Sequence, residues 1–270
     1  MAMIVSGLVS DGISMARPHK ILVITAGGAY AWVIVNALAS GLGGVEVALE
    51  QPESKIVFLK RRARKIGWFQ TAGQFGTMVI SRFGKRLAHA RANQIIAASN
   101  ILTELSPGVQ MTPVSSANGA DCLKLISARK PDLVFLVGCR MLSRATLSAI
   151  PCPVLNYHSG INPKYRGQAG GWWARALGDH ENYGTTVHLV DAGVDTGTTL
   201  HNAFLKPDPR ETLFTDSLAM AAGSRDMVVR AVEDALNATL EPKSSSLPSV
   251  QRFEPPVWTY LKTGLAKGIW

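Results

Sequence analysis

The chain has 270 residues, of which 47% are hydrophobic and 17% are charged, and its net charge at pH 7 is +9. This balance is typical of a globular protein and excludes a disordered chain. No apolar stretch approaches the roughly 20 residues that span a bilayer, which excludes a membrane-embedded protein. The length allows one α/β domain with an appendage, or two small domains.

Residues 1–18 lack the basic start and the long apolar centre of a secretion signal, and we interpret them as a loose leader. The three cysteines, Cys122, Cys139 and Cys152, form no CxxC pair. Together these features predict a reducing, cytoplasmic location. We expect Cys139 to be a packed apolar side chain rather than a reactive thiol.

Short apolar runs alternate with helix-like segments along the chain. Strands are predicted at residues 20–25, 45–49, 133–137, 154–157 and 185–190, and helices in the run that ends at residue 38, at 93–104, at 119–129, and once or twice within 211–238. A polar stretch at 243–251 is predicted to be a linker or an ordered loop. This alternation predicts an α/β fold: a Rossmann-like, mostly parallel sheet flanked by helices, with a short C-terminal helical appendage.

The first predicted strand ends in Gly27 and Gly28, before a helix. Glycines at such a turn let a phosphate approach the backbone N–H groups at the start of the helix, so Gly28 is a candidate substrate-binding residue. The same turn is also how doubly wound folds commonly begin. The pattern is not GxGxxG, which disfavours a dinucleotide site.

Residues 55–91 contain ten of the 28 Lys and Arg residues and no Asp or Glu, so the remaining chain carries a net charge of −1. Apolar side chains interleave with these charges: Trp68, Phe69, Phe75, Met78, Ile80 and Phe83. Three interpretations stay open. The segment is a solvated pair of basic helices that covers the sheet, a patch that attracts a phosphorylated acceptor, or a surface for RNA or an anionic membrane.

The most informative residues follow the strand predicted at 154–157. Asn156 and His158 lie at its end, and Asp195 lies in a Gly-rich loop after the next strand. An amide can polarise a carbonyl group, an imidazole can transfer protons, and a carboxylate can fix the charge and tautomer of the imidazole. Asp191, four residues before Asp195, is the alternative carboxylate. His188 lacks metal-ligand spacing with any Cys or carboxylate, so no metal site is predicted.

These segments, in this order, resemble the folate-dependent formyltransferase family. That family has an Asn-x-His motif, a Pro-Lys-Tyr-Arg-Gly-like loop, a Gly-Thr-Thr-Val-His-like strand and an Asp-x-Gly loop, which correspond here to residues 156–158, 163–167, 184–188 and 195–197. The resemblance covers roughly residues 20–205 and is strongest over 130–200. Two departures, Ser159-Gly160 after the His and Ile161-Asn162 before the Pro, lie in the loop expected to contact the acceptor.

The resemblance implies a role for each matched residue. The catalytic residues would be Asn156, His158 and Asp195. The cofactor-binding residues would be Arg140, Met141, Leu142, Asp191 and Val194. The substrate-binding residues would be Gly28, Tyr165, Arg166 and Gly167. It also implies three parts of the chain: the leader at 1–18, a catalytic domain at 19–205 with a basic insertion at about 55–92, and a C-terminal helix and tail at 206–270.

The resemblance further implies transfer of a formyl group from 10-formyltetrahydrofolate to a primary amine, without a metal. The acceptor is expected to be a small and phosphorylated molecule, most simply a nucleotide-linked amino sugar, because the chain lacks features of the tRNA and purine branches. Glycinamide ribonucleotide is the alternative acceptor. A non-catalytic binder of RNA or membrane, and a hydrolase acting on the same folate, are the alternative functions. Nucleic acid is not an expected partner, and the apolar C-terminal tail would suit a homodimer contact.

Overall fold

The computed structural model describes residues 19–80 and 85–270, so the predicted leader and Phe83 lie outside the described residues. Its strands are β1 Ile21–Thr25, β2 Val45–Glu50, β3 Gln110–Val114, β4 Leu133–Val137, β5 Val154–His158, β6 Arg166–Gly167, β7 Gly184–Leu189, β8 Thr199–Phe204 and β9 Gln251–Arg252. Its helices are α1 Ala29–Leu42, α2 Lys55–Ile66, α3 Trp68–Ile80, α4 Lys85–Ser99, α5 Ala120–Arg129, α6 Arg144–Ala149, α7 Gly170–Ala176, α8 Asp216–Leu236 and α9 Val257–Lys267.

The central sheet has seven strands in the order β3-β2-β1-β4-β5-β7-β8. The strands from β3 to β5 pair in parallel, whereas β7 and β8 join antiparallel. The predicted fold class, a Rossmann-like and mostly parallel sheet flanked by helices, is therefore confirmed.

The sheet is parallel at its centre because its central strands are apolar on both faces. All five residues of β1 are buried, and their side chains alternate between two cores. Ile21 and Val23 join a core with α1 and α8, whereas Leu22 and Ile24 join one with α5. Each face of the sheet is thus covered by helices, and only its strand ends remain open for a ligand.

The C-terminal region contributes to this core. Met227, Val228 and Val232 of α8 are buried in the same core as α1, so α8 is a layer of the fold. The appendage beyond the sheet is α9, together with β9, which pairs in parallel with β6. This small pairing connects the tail to the loop that follows β5. The domain boundaries inferred from the sequence stay predictions.

Several elements differ from the predicted ones, among them strand β8 and helix α6, which were not predicted, and two of these differences have a clear physical reason. The helix expected at 93–104 is α4, which begins earlier, at Lys85, and ends at Ser99 because Asn100 adopts a left-handed conformation with φ +46°. The edge strand β3 was not predicted from the sequence, since it is mostly exposed and contains Pro113. Neither difference alters the strand ends that carry Asn156 and His158.

Across the described ranges, no helix is both long and apolar enough to cross a membrane.

Candidate active site

A cavity of about 450 Å³ opens beyond the carboxyl ends of β4 and β5. Ligands of open α/β sheets bind at such strand ends. The three predicted catalytic residues, Asn156, His158 and Asp195, all line this cavity. Residues separated by 39 positions in sequence therefore meet in one place, because the loop that follows the antiparallel strand β7 folds back and brings Asp195 to Asn156 and His158.

Asp195 is the centre of this cluster. Its Oδ2 accepts the backbone N–H of Gly167 at 2.9 Å and lies 3.6 Å from Nδ1 of His158, while its Oδ1 accepts from Asn156 at 3.3 Å. Burial by itself would raise the pKa of Asp195, but the neighbouring His158 and His188 and the Gly167 N–H together hold it below its ordinary value. Asp195 is therefore a carboxylate anion at neutral pH.

His158 is held through both ring nitrogens. Its Nε2 lies 2.7 Å from the carbonyl oxygen of Tyr165, which can only accept, so Nε2 carries a proton and donates it. Its Nδ1 faces the Asp195 carboxylate, 3.6 Å from Oδ2. Gly160 makes room for this geometry, since a Cβ there would lie 2.6 Å from both His158 Nε2 and the Tyr165 oxygen.

His188 orients Asn156. Nδ1 of His188 donates to the carbonyl oxygen of Leu189 at 2.7 Å, and its Nε2 lies 3.3 Å from Oδ1 of Asp195. Nδ2 of Asn156 lies 3.0 Å from that Nε2. Asn156 and His188 are register partners in the antiparallel pairing of β5 with β7, which places them side by side. From the sequence we consider His188 only as a possible metal ligand, so this contact with Asn156 is not predicted.

The predicted folate turn is held by a buried carboxylate. Glu50, at the end of β2 and 2% exposed, accepts the backbone N–H groups of Arg140 at 2.9 Å and of Ala117 at 2.7 Å. The Arg140 guanidinium lies 3.3 Å from the same carboxylate, so its charge is balanced within the protein. Met141 and Leu142 follow it along the cavity wall. The sequence does not identify Glu50 as a site residue, because nothing in it signals a buried carboxylate.

The loop at 191–196 forms another wall of the cavity. Oδ1 of Asp191 accepts the N–H of Gly193 at 2.9 Å and the hydroxyl of Thr196 at 2.7 Å, which closes the loop on itself. The carbonyl oxygen of Val194 accepts from Arg166 at 3.0 Å. Asp191 and Val194 line the cavity and Arg166 does not, so Arg166 holds the loop from behind.

The remaining predicted substrate-binding residues are placed differently. Gly167 lines the cavity and contributes its backbone N–H to Asp195. The Tyr165 side chain is fully buried, and its hydroxyl donates to Asp179 at 2.6 Å. Gly28 precedes α1 and does not line the cavity. Tyr165 thus anchors the loop that carries Gly167, and only its carbonyl reaches the cluster through His158.

Cys139 also lines the cavity. Burial, with a smaller contribution from Glu50, raises the pKa of its thiol to about 12. The thiol is therefore protonated at neutral pH and is a weak nucleophile. Among the residues that the structure describes, no group of three or more His, Cys, Asp or Glu side chains could hold a metal ion.

Comparison with known proteins gives a match to the family model described as formyl transferase over residues 69–232, which is more than half of the chain. A methionyl-tRNA formyltransferase of Desulfotalea psychrophila is 38% identical over 100 residues, which cover 36% of this chain and 31% of that protein. The methionyl-tRNA formyltransferase of Burkholderia thailandensis is 27% identical over 165 residues, which cover 59% of this chain and 50% of that protein. The chain thus spans half or less of the length of these relatives.

Solved structures share the fold. A sugar N-formyltransferase from Shewanella sp matches with a TM-score of 0.53 at 14% identity, over 87% of this chain and 77% of that one. Glycinamide ribonucleotide transformylase 1 from Symbiobacterium toebii matches with a TM-score of 0.54 at 19% identity, over 87% of this chain and 94% of that one. The family match includes Asn156, His158 and Asp195. This chain belongs to the formyl transferase family.

Proposed function

We propose that this protein transfers the formyl group of 10-formyltetrahydrofolate to a primary amine of a small acceptor. The observation that carries the proposal is the cluster around Asp195, in which a carboxylate anion, an imidazole and an amide meet at one wall of a ligand-sized cavity. Membership of the formyl transferase family supports the reaction class.

The reaction has simple requirements. The acceptor amine attacks the formyl carbon, the bond from that carbon to N10 of the folate breaks, and one proton passes from the amine to N10. The negative oxygen of the tetrahedral intermediate needs donors already in place. The amide of Asn156 and a ring N–H of His158 would exchange their present partners for this oxygen, and losing one such donor typically costs about 2.7–4 kcal/mol of barrier.

The hydrogen bonds of Asn156 define how it would act. Its amide N–H groups face His188 Nε2 at 3.0 Å and Asp195 Oδ1 at 3.3 Å. The longer bond is the one to be exchanged for the developing oxyanion, while His188 keeps the amide oriented. Asp195 retains the Gly167 N–H and His158 as partners during this exchange and so remains anionic.

The donor would lie along two wall segments, the turn at 140–142 and the loop at 191–194. Both are fixed from outside the cavity, the turn by Glu50 and the loop by Arg166. Such support keeps backbone donors and acceptors in position for a flat heterocycle such as a pteridine. The formyl group at N10 would then reach the Asp195 cluster.

A nucleotide-linked amino sugar is the acceptor that we propose first. Arg62 supports a phosphorylated acceptor, because its guanidinium donates at 2.6 Å to Gln168, a residue of the cavity wall. The second candidate is an aminoacyl-tRNA, which the similarity to methionyl-tRNA formyltransferases favours. Glycinamide ribonucleotide is the third acceptor, on the basis of the structural similarity to a transformylase that is named for it.

The test is tetrahydrofolate production from 10-formyltetrahydrofolate with a panel of acceptors: nucleotide-linked amino sugars, glycinamide ribonucleotide, and methionyl-tRNA. Asp195→Asn is the inactive variant, and Asp226→Asn, an exposed Asp on α8, is the matched control. Turnover with one acceptor, lost in Asp195→Asn and kept in Asp226→Asn, would support the proposal and name the acceptor. Formate release without any acceptor would instead indicate a hydrolase, and absence of folate binding would contradict the proposed function.

A further inference from the structure

Helix α3 has its polar and apolar faces reversed relative to a helix of an ordinary globular core. Its buried residues are polar or glycine: Thr71, Gly73, Gln74 and Thr77. Its exposed side chains include the aromatic residues Trp68, at 67%, and Phe75, at 49% exposure, whereas Phe69 stacks on Trp258 with 4.5 Å between the ring centroids. Trp68, Phe75 and Val79 fall at helical spacing on one side. An exposed aromatic face of this kind marks a surface that contacts something else.

The reversed orientation is fixed by specific contacts. The side chain of Gln74 donates to the carbonyl oxygen of Glu254 at 2.9 Å, and the hydroxyl of Thr77 donates to that of Pro255 at 2.8 Å. Gly73 packs so closely on Trp258 that a Cβ there would lie 2.4 Å from the indole ring. Turning α3 to bury its aromatic residues would break these contacts, so the aromatic face is built to point outward.

Helix α2 extends this surface and adds positive charge. Ile56 and Val57 are 66% and 53% exposed, and Ala63 is the only buried residue among the α2 side chains that the structure describes. Four cations of α2 are also exposed: Lys60, Arg61, Arg64 and Lys65. Arg61 pairs with Glu53 at 2.9 Å, whereas residues 55–91 themselves contain no Asp or Glu. The α2–α3 surface, residues 55–80, therefore combines exposed Trp, Phe and aliphatic side chains with clustered cations.

We propose that the α2–α3 surface docks on an anionic lipid bilayer. Interfacial helices bind membranes by inserting Trp, Phe and aliphatic side chains at the headgroup boundary while Lys and Arg meet anionic lipids. Each such cation near the surface of an anionic leaflet adds roughly 1 kcal/mol. The surface offers both components on adjacent helices, and residues 55–80 contain no Asp or Glu that would repel the leaflet.

Two other occupants fit the surface less well. A second copy of the chain would bring the α2 cations of both copies together, and no acidic residue lies within 55–80 to pair with them. RNA phosphates would meet the cations, but the exposed aliphatic side chains Ile56, Val57 and Val79 would gain nothing from a phosphate backbone. An anionic bilayer interface takes up the charges and the apolar area together.

The docking surface lies beside the catalytic cavity. Arg62 of α2 contacts Gln168 on the cavity wall, and Gln74 of α3 contacts the backbone of Glu254, which also lines the cavity. Docking would therefore bring the cavity close to the plane of the membrane.

The test is co-sedimentation of the full chain with vesicles. We expect binding to vesicles of phosphatidylcholine with phosphatidylglycerol, little binding to phosphatidylcholine alone, and weakening by added salt. Lys60→Glu with Arg64→Glu, and separately Trp68→Ser with Phe75→Ser, should each reduce binding at least tenfold. Lys124→Glu with Lys130→Glu, exposed cations on and just after α5, is the matched control and should bind like the wild type. Thermal unfolding of each variant verifies its fold.

Several results would overturn the proposal. One is the absence of binding to the anionic vesicles, and another is equal binding by the control and the α2 charge variant. Salt-sensitive binding to a tRNA mixture by a chain that ignores vesicles would assign the surface to RNA. A concentration-dependent dimer that is lost in the Trp68→Ser, Phe75→Ser variant, without vesicle binding, would assign it to a second copy.

Discussion

The Asp195 cluster and the α2–α3 surface use polar groups in opposite ways. In the cluster, polar side chains line a cavity and hold one another: Asp195 alone meets His158, Asn156 and the Gly167 N–H. On α3 the polar side chains also turn inward, but they only fasten the helix to the backbone of the tail, while Trp68 and Phe75 are exposed to solvent. Hydrogen bonds of the same kind thus position the side chains of the cavity in one region and fix the orientation of a helix in the other.

The difference indicates where each region is sensitive to substitution. Residues of the cluster are held to within a narrow geometry, so small displacements should affect formyl transfer strongly. The exposed residues of α3 contribute contacts only when something covers them. Replacing them should therefore leave the isolated fold nearly unchanged, and the following substitutions test this contrast.

After Asp195→Asn, described last, the largest effect is expected from Gly167→Ala. Gly167 has φ +97°, and a Cβ there would lie 2.1 Å from the carbonyl oxygen of Arg252. Relieving that clash must displace the Gly167 N–H from Asp195, which should reduce formyl transfer about 10²-fold in single-turnover measurements. Gly178→Ala is the control, because Gly178 also has a positive φ, +71°, but open space around it. Equal activity of the two variants would contradict the account.

A smaller effect is expected from His188→Ala, which removes the acceptor that orients Asn156. A neutral hydrogen bond contributes about 0.5–1.5 kcal/mol, so the rate should fall by up to about tenfold with folate affinity unchanged. His201→Ala, in the neighbouring strand β8, is the control, since His201 contacts Asp234 rather than the cluster. A wild-type rate in His188→Ala would show that Asn156 is oriented by Asp195 alone.

The smallest effect is expected from Phe75→Ser, on the outer face of α3. Its free energy of unfolding in urea should change by less than about 0.5 kcal/mol, as for other exposed positions. Gln74→Leu, one residue earlier and facing inward, loses the bond to Glu254 and should destabilise the protein by about 1 kcal/mol or more. If Phe75→Ser costs more than Gln74→Leu, α3 buries its aromatic face in solution.

The sequence predicts the central strands well and singles out three candidate catalytic residues, for identifiable reasons. The strand expected at 133–137 matches β4 because five consecutive apolar residues, buried on both faces, leave little ambiguity. The trio Asn156, His158 and Asp195 is predicted because the order and spacing of the motifs that contain these residues can be recognised in the sequence. Its meeting in one cavity depends on the loop after β7, which folds back to bring Asp195 to the end of β5.

Contacts that depend on strand register and on helix orientation could not be predicted from the sequence. The partnership of His188 with Asn156 requires the antiparallel register of β5 and β7. The role of Glu50 requires the parallel neighbours β2 and β1 to bring it to the turn at 140–142. For α3, apolar spacing shows that the helix has two faces but not which one faces inward. That choice is made by Gln74, Thr77 and the tail that they contact.

The most direct test of the central claim, that Asp195 organises the formyl-transfer site, combines folate binding with single-turnover transfer in Asp195→Asn. The amide keeps the size of the side chain but removes the charge that pairs with His158. The account predicts unchanged affinity for 10-formyltetrahydrofolate and a transfer rate lower by about 10²–10⁴-fold, the range typical of a proton-transfer system. A variant that binds the folate and transfers at the wild-type rate would contradict it.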